Sequence, residues 1–125
     1  GGGSHGADVV NDYVEVVKKL IHSQKNVTTL VDLGCGDFNI GSKLVGNVEK
    51  YVGCDVVPAL IEFNLRKFSA KNVSFKLLDI TTDNLPKGDM VVVRQVLQHL
   101  NNKQIGDVLS KIKKVYKHLV LTDCF

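Results

Sequence analysis

The chain has 125 residues, of which 44% are hydrophobic and 23% charged, with a net charge of +3. Those values suit one globular domain with a single core, and no apolar run approaches the roughly 20 residues that would span a bilayer. Lysines gather at Lys18, Lys19, Lys67 and Lys71 and in the last third at Lys103, Lys111, Lys113, Lys114 and Lys117; without an aromatic-interleaved basic patch they read as solvated helix faces, and nucleic acid is not an expected partner.

Residues 1–6, Gly-Gly-Gly-Ser-His-Gly, have the composition of a flexible linker or tag, and the only Met is Met90, so the expectation is that the native start lies outside this sequence. The domain proper is then 7–125. No secretory leader is visible. From Asp8, Val10, Tyr13, Val14, Val17, Leu20 and Ile21 recur at helical spacing and predict an amphipathic helix over 8–23. A strand follows at about 28–33 and runs into Gly34-Cys35-Gly36. Residues 37–45 read as a helix packing Ile40, Leu44 and Val45, stopped by Gly46-Asn47.

A short second strand, 51–55, ends in Asp55, and Pro58 suits the first turn of the next helix. That helix carries Leu60, Ile61, Asn64, Leu65 and Phe68 on one face. A third strand over 73–78 stops at Asp79, and a loop over 81–88 leads to Asp89-Met90-Val91-Val92-Val93, whose apolar run suits a central strand buried on both faces. After 94–100, Asn101-Asn102 offers an N-cap for a helix striped with Ile105, Val108, Leu109, Ile112, Val115 and Tyr116. The last strand begins at His118 and reads through Thr122 toward Phe125. Strands alternating with helices imply right-handed parallel crossovers and a doubly wound α/β sheet with helices on both faces.

Open α/β sheets bind ligands at the carboxyl edge. Asp32, Asp55 and Asp79 fall at or beside that edge with the Gly34-Cys35-Gly36 loop, whereas Asp89 starts its strand and belongs to the opposite edge. A single Asp at a strand end is commonly a turn former or cap; three with a glycine loop describe a site for a polar, hydroxyl-rich ligand. A dinucleotide fingerprint needs Gly-x-Gly-x-x-Gly, and Asn39 stands where the third glycine is required. Asp55, 19 residues after Gly36, could still hold a ribose. Cys35, Cys54 and Cys124 form neither a disulfide framework nor a metal-ligand pattern, so a reducing, cytoplasmic setting and no metal are expected.

With Val31-Asp32-Leu33-Gly34-Cys35-Gly36-Asp37, Asp55 and Asp79 in place, the chain from about Asp8 to Phe125 resembles the class I S-adenosylmethionine-dependent methyltransferases. The resemblance implies a Rossmann-like, mostly parallel sheet of order 3-2-1-4-5. The family usually continues with a further helix and an antiparallel pair of strands, which this sequence does not reach; the fifth strand would then be an exposed edge that a second copy could pair with. The family usually has a third glycine where this chain has Phe38.

By the same resemblance, Asp32, Gly34, Cys35 and Gly36 would wall the methionine part of S-adenosylmethionine. Asp55 would accept from the ribose hydroxyls, Val56 would lie along the adenine, and Asp79 would accept from its amino group beside Ile80. Arg94, Gln95 and Leu97 follow the fourth strand, where the family places its methyl-transfer mouth, and His99 is the nearby residue able to act as a base. Arg94 is either a ligand for an acidic substrate or a salt-bridged surface residue, and His99 either a general base or a helix residue bonded to a backbone carbonyl. Residues 89–100 are similar to a bacterial subset acting on small molecules or saccharides. Two functions follow: a methyltransferase acting by in-line displacement on such an acceptor, or a non-catalytic cofactor-binding or assembly module with the same fold. A nucleotide-dependent oxidoreductase is a third, weaker alternative.

Overall fold

Five apolar segments form strands: β1 (Thr29–Leu33), β2 (Lys50–Asp55), β3 (Val73–Leu77), β4 (Met90–Arg94) and β5 (His118–Thr122). In the computed structural model, which describes residues 2–68 and 70–122 and side chains from residue 9 onward, all neighbours pair in parallel in the order β3-β2-β1-β4-β5. This is the order that the resemblance implies. The helices are α1 (Gly2–Ser23), α2 (Pro58–Lys67) and α3 (Asn102–Val115). Asp123, Cys124 and Phe125, read above as the run-out of the last strand, lie outside the described residues.

The centre of the sheet is β1, not the strand that the apolar run at 89–93 suggests; β4 lies between β1 and the edge strand β5, and burial on both faces explains its composition. Met90, Val91, Val92 and Val93 are all buried. Because side chains alternate along a strand, Met90 and Val92 join Tyr13, Val14, Val17 and Ile21 of α1, while Val91 and Val93 join Val108 and Ile112 of α3 and Tyr116 just beyond it. A strand covered on both faces has no polar side to show, which is why its sequence does not alternate. α3 begins with a capping box: the Asn101 side chain accepts from the Gln104 amide, and the Gln104 side chain accepts from the Asn101 amide. At the margin of the sheet, Leu119 and Leu121 of β5 stay largely exposed while Val120 packs inward. No helix among the described residues is long and apolar enough to cross a membrane.

Three local expectations change. α1 reaches back to Gly2, past the Asp8 at which the apolar periodicity starts. On α2 the buried stripe centres on Ile61 and Asn64, and Leu65, expected on that face, lies at its margin and is exposed. Residues 37–45 do not form an α-helix; the β1–β2 crossover holds two single 3₁₀ turns, Gly41–Lys43 and Val45–Asn47. Two glycines and two asparagines in ten residues weaken helix propagation there. The segment is instead pinned to the core by Phe38 and Leu44, 4% and 0% exposed, and a Cβ on Gly41 would collide with the Tyr51 hydroxyl.

Candidate functional site

The glycine loop closes the end of β1 against both neighbouring strands. Gly34 has φ +89° and Gly36 φ +56°, in the region that favours glycine. A Cβ on Gly34 would stand 2.8 Å from the Arg94 carbonyl oxygen and from a Val96 methyl, so the close approach of β1 to the end of β4 requires its absence. The loop's amides are already committed. Gly34 and Cys35 N–H donate to the Cys54 carbonyl at 2.8 and 2.9 Å, Gly36 N–H donates to Asp55 Oδ2 at 3.0 Å, and Phe38 N–H donates to the Cys35 carbonyl at 3.1 Å. From beneath, Asn64 Nδ2 donates to the Gly36 carbonyl at 2.8 Å.

Phe38 stands where the resemblance leads one to expect a third glycine, and it keeps a glycine-like backbone, φ +71°. Holding a bulky residue there costs on the order of 1–3 kcal/mol. Its ring offsets that cost in the core, with centroids 5.2, 4.7 and 5.1 Å from those of Tyr51, Phe68 and Phe75.

Above the loop lies a cleft of about 430 Å³. It gathers Gly34 and Gly36 from the loop, Asp55 and Val56 from the end of β2, Asp79 and Ile80 after β3, and Arg94, Gln95 and His99 at and after β4. Leu33, Cys54, Val57, Leu60, Leu78, Val96 and Leu100 complete its apolar walls. Apolar residues at strand ends carry no sequence signal that separates a cleft wall from the core, and these escape prediction for that reason. Asp55 presents a fixed carboxylate: Oδ2 accepts from Gly36 N–H, Oδ1 accepts from Val57 N–H at 3.1 Å, and each oxygen keeps a further lone pair. Asp79 Oδ1 accepts from the Thr81 hydroxyl at 2.6 Å and the Thr81 amide at 2.9 Å. Those bonds, the hydroxyl's foremost, hold the Asp79 carboxyl below its usual pKa.

Two residues expected on the cleft wall are not there. Asp32 is fully buried beneath the loop. Its Oδ2 accepts from the Tyr51 hydroxyl at 2.6 Å, and Arg94 Nη2 donates to its two oxygens at 3.0 and 3.3 Å. Along β1 the alternation that sends Leu30 toward α1 sends Asp32 the same way, into the core. Cys35 is 2% exposed in that core, and burial foremost, then the Asp32 charge, push its thiol pKa up, which disfavours the thiolate. Burial likewise raises the Cys54 thiol, to about 12.

Arg94 borders the cleft, but its guanidinium turns inward and its Nη2 is bonded to Asp32. Burial opposes its charge, but the Asp32 carboxylate, Tyr13 and Tyr51 together outweigh burial and raise its pKa. The guanidinium carbon also sits 5.9 Å from the centroid of the Tyr13 ring, so α1 covers the pair. Of the two readings of Arg94, the salt-bridged one holds, in the interior and not at the surface. Gln95 and His99 are exposed on the rim, and Gln95 has φ +53°, rare for a side-chain-bearing residue and located, as such backbone often is, at a cleft. Tyr51 and Asn64 were not singled out as site residues; a polar Asn on the apolar face of α2 was the available signal for the second.

The sequence profile of the methyltransferase domain family matches residues 31–119. No curated protein matches the chain. Among solved structures, the N-methyltransferase NodS from Bradyrhizobium japonicum WM9 superposes with a TM-score of 0.76 at 22% identity, over 89% of this chain and 66% of that one. An amino pentose methyltransferase from Micromonospora echinaspora, solved with S-adenosylmethionine bound, gives 0.76 at 16% identity, over 93% and 51%. The magnesium protoporphyrin IX methyltransferase of Synechocystis PCC 6803 gives 0.71 at 19%, over 88% and 56%. The chain thus spans about half to two thirds of the length of these structures. With the profile covering most of the chain, from within β1 through the loop and the cleft into β5, the protein belongs to the methyltransferase domain family.

Proposed function

We propose that the chain is the S-adenosylmethionine-binding core of a methyltransferase whose acceptor is a small molecule or saccharide. The observation that carries the proposal is the loop's hydrogen bonding. A dinucleotide site needs free amides at a helix N-terminus to meet a pyrophosphate. Here the Gly34, Cys35 and Gly36 amides are bonded to β2, and the segment that follows is two 3₁₀ turns, not a helix. What the cleft offers instead is carboxylate acceptors at two strand ends and apolar walls, which fits a ligand with hydroxyls, an amino group and no phosphate.

In that assignment Asp55 accepts from the ribose hydroxyls, Val56 and Ile80 flank the base, Asp79 accepts from its amino group, and Gly34 and Gly36 leave room for the methionine part. The cofactor supplies a methyl group already activated on a sulfonium centre. The chain's own work is to hold the acceptor in line with it and keep water out, which is catalysis by proximity. Gln95 and His99, exposed at the rim, meet the acceptor; His99 takes its proton where one must leave. The sugar and amino pentose methyltransferases among the structural neighbours support a saccharide-type acceptor.

Calorimetric titration with S-adenosylmethionine, S-adenosylhomocysteine and NAD tests the proposal. Both sulfur compounds bind and NAD does not; failure of both sulfur compounds overturns it. Methyl transfer to a panel of amino sugars then tests the acceptor class, and transfer only to macromolecules overturns that part.

A further inference from the structure

Lys111 belongs by sequence to a run of solvated lysines, but its ammonium is not solvated like theirs. Nζ donates to the Ile80 carbonyl at 2.9 Å and to the Asp83 carbonyl at 2.6 Å. Both carbonyls belong to the turn after β3, which is otherwise bonded to itself. Asp83 Oδ2 accepts from the Asp79 amide at 2.8 Å, and the Asp79 carbonyl accepts from the Thr82 and Asp83 amides at 3.2 and 2.8 Å. Asp79 and Ile80 line the cleft, while Ile80 also packs in the core with Val108 and Ile112 of α3. The ammonium therefore adds a polar tie between one wall of the cleft and α3, which supplies no residue to the cleft lining, and two of its three donors are used in doing so.

We infer that Lys111 is a positioning residue for the cofactor: it locks the 79–83 turn so that Asp79 and Ile80 stand in their binding arrangement before the ligand arrives. This rests on the S-adenosylmethionine reading of the cleft and extends it to a residue outside the cleft wall. Preorganisation of this kind acts on affinity by removing the cost of ordering the turn on binding. Lys114, exposed on the same helix, is the internal control.

The test titrates S-adenosylhomocysteine into the full chain and follows backbone hydrogen exchange. Lys111→Met weakens binding about tenfold, Lys111→Arg recovers part of the loss because it keeps charge and donors, and Lys114→Met stays within about twofold. Lys111→Met combined with Asp79→Asn is little weaker than the worse single variant, because both act through one turn. In Lys111→Met the amides of 80–83 exchange faster, those of β1 and β4 do not, and saturating ligand restores protection. Unchanged affinity, losses that multiply fully, or unchanged exchange at 80–83 each overturn the inference. Exchange raised throughout the sheet also overturns it, by making Lys111 a residue of global stability. A wild-type chain that fails to bind the ligand refutes the cofactor reading alone, and the exchange pattern of the unliganded variants still decides whether Lys111 holds the turn.

Discussion

Asp32 and Asp55 end neighbouring strands of one sheet, yet one is sealed in the core and the other opens on the cleft. The difference is one of register. Leu33, the last residue of β1, pairs with Cys54, so Asp55 overhangs the β1–β2 ladder by one residue and pairs only with Leu77 of β3, whereas Asp32 sits one residue inside that ladder, opposite Gly53. Inside, a carboxylate must be neutralised and saturated, and the Tyr51 hydroxyl and Arg94 guanidinium do this. Outside, two backbone amides fix the carboxylate and leave lone pairs for a ligand. The same residue type at almost the same place is structural in one tier and available for recognition in the other.

Breaking the lower tier has the largest expected effect. Arg94→Met leaves the Asp32 charge buried without its partner and lowers the unfolding free energy by ~3–5 kcal/mol, read by urea denaturation. Replacing Asp32 by Leu in the same chain recovers much of that loss; if it recovers none, the ion pair is not what Arg94 contributes. Phe38→Gly comes next. It relaxes the φ +71° backbone but removes a core ring, for a net loss of ~2–4 kcal/mol. A stabilised variant would mean that the backbone strain outweighs the aromatic packing.

In the upper tier the effect moves from stability to binding. Asp55→Ala weakens S-adenosylhomocysteine by ~1–3 kcal/mol in calorimetry, while the urea midpoint shifts less than for either lower-tier variant. The reverse pattern would place Asp55 with Asp32 as a structural carboxylate. The smallest effect lies at the opposite edge. Asp89 Oδ2 accepts from the Thr28 amide and hydroxyl and the Thr29 amide, each at 2.9 Å. Burial opposes its charge, but these bonds outweigh burial and hold its pKa below the ordinary 3.8. A depressed pKa means that Asp89 stabilises the fold above that value and stops doing so as the pH falls through its lower, folded value. Asp89→Asn therefore costs ~1 kcal/mol at pH 7, and its gap to wild type narrows in thermal melts below about pH 4; a gap that widens on acidification contradicts the assignment.

The strands, α3 and the carboxyl-edge aspartates were legible in the sequence because each rests on a local pattern. Apolar runs, alternation and a capping Asn depend on neighbours a few residues away. The β1–β2 crossover departs from the expected helix: its apolar residues fit a helical stripe, but the contact that pins it, Gly41 against Tyr51, joins the crossover to β2. Arg94 could be reduced to two readings but not to one, since its partner is 62 residues away in sequence. Lys111 gave no signal at all: a lysine among lysines on a helix looks solvated until the turn it reaches is in view.

By itself the sequence determined the α/β alternation, the strand buried on both faces and the strand-end carboxylates beside a glycine loop, since strand and helix periodicity and backbone freedom at glycine are properties of short segments. The tertiary structure alone decided which carboxylate is core and which is cleft, where the Arg94 charge goes, and that the loop's amides are spent on β2. Each of those depends on which strand lies alongside and in what register, and parallel pairing brings together residues that no local pattern relates.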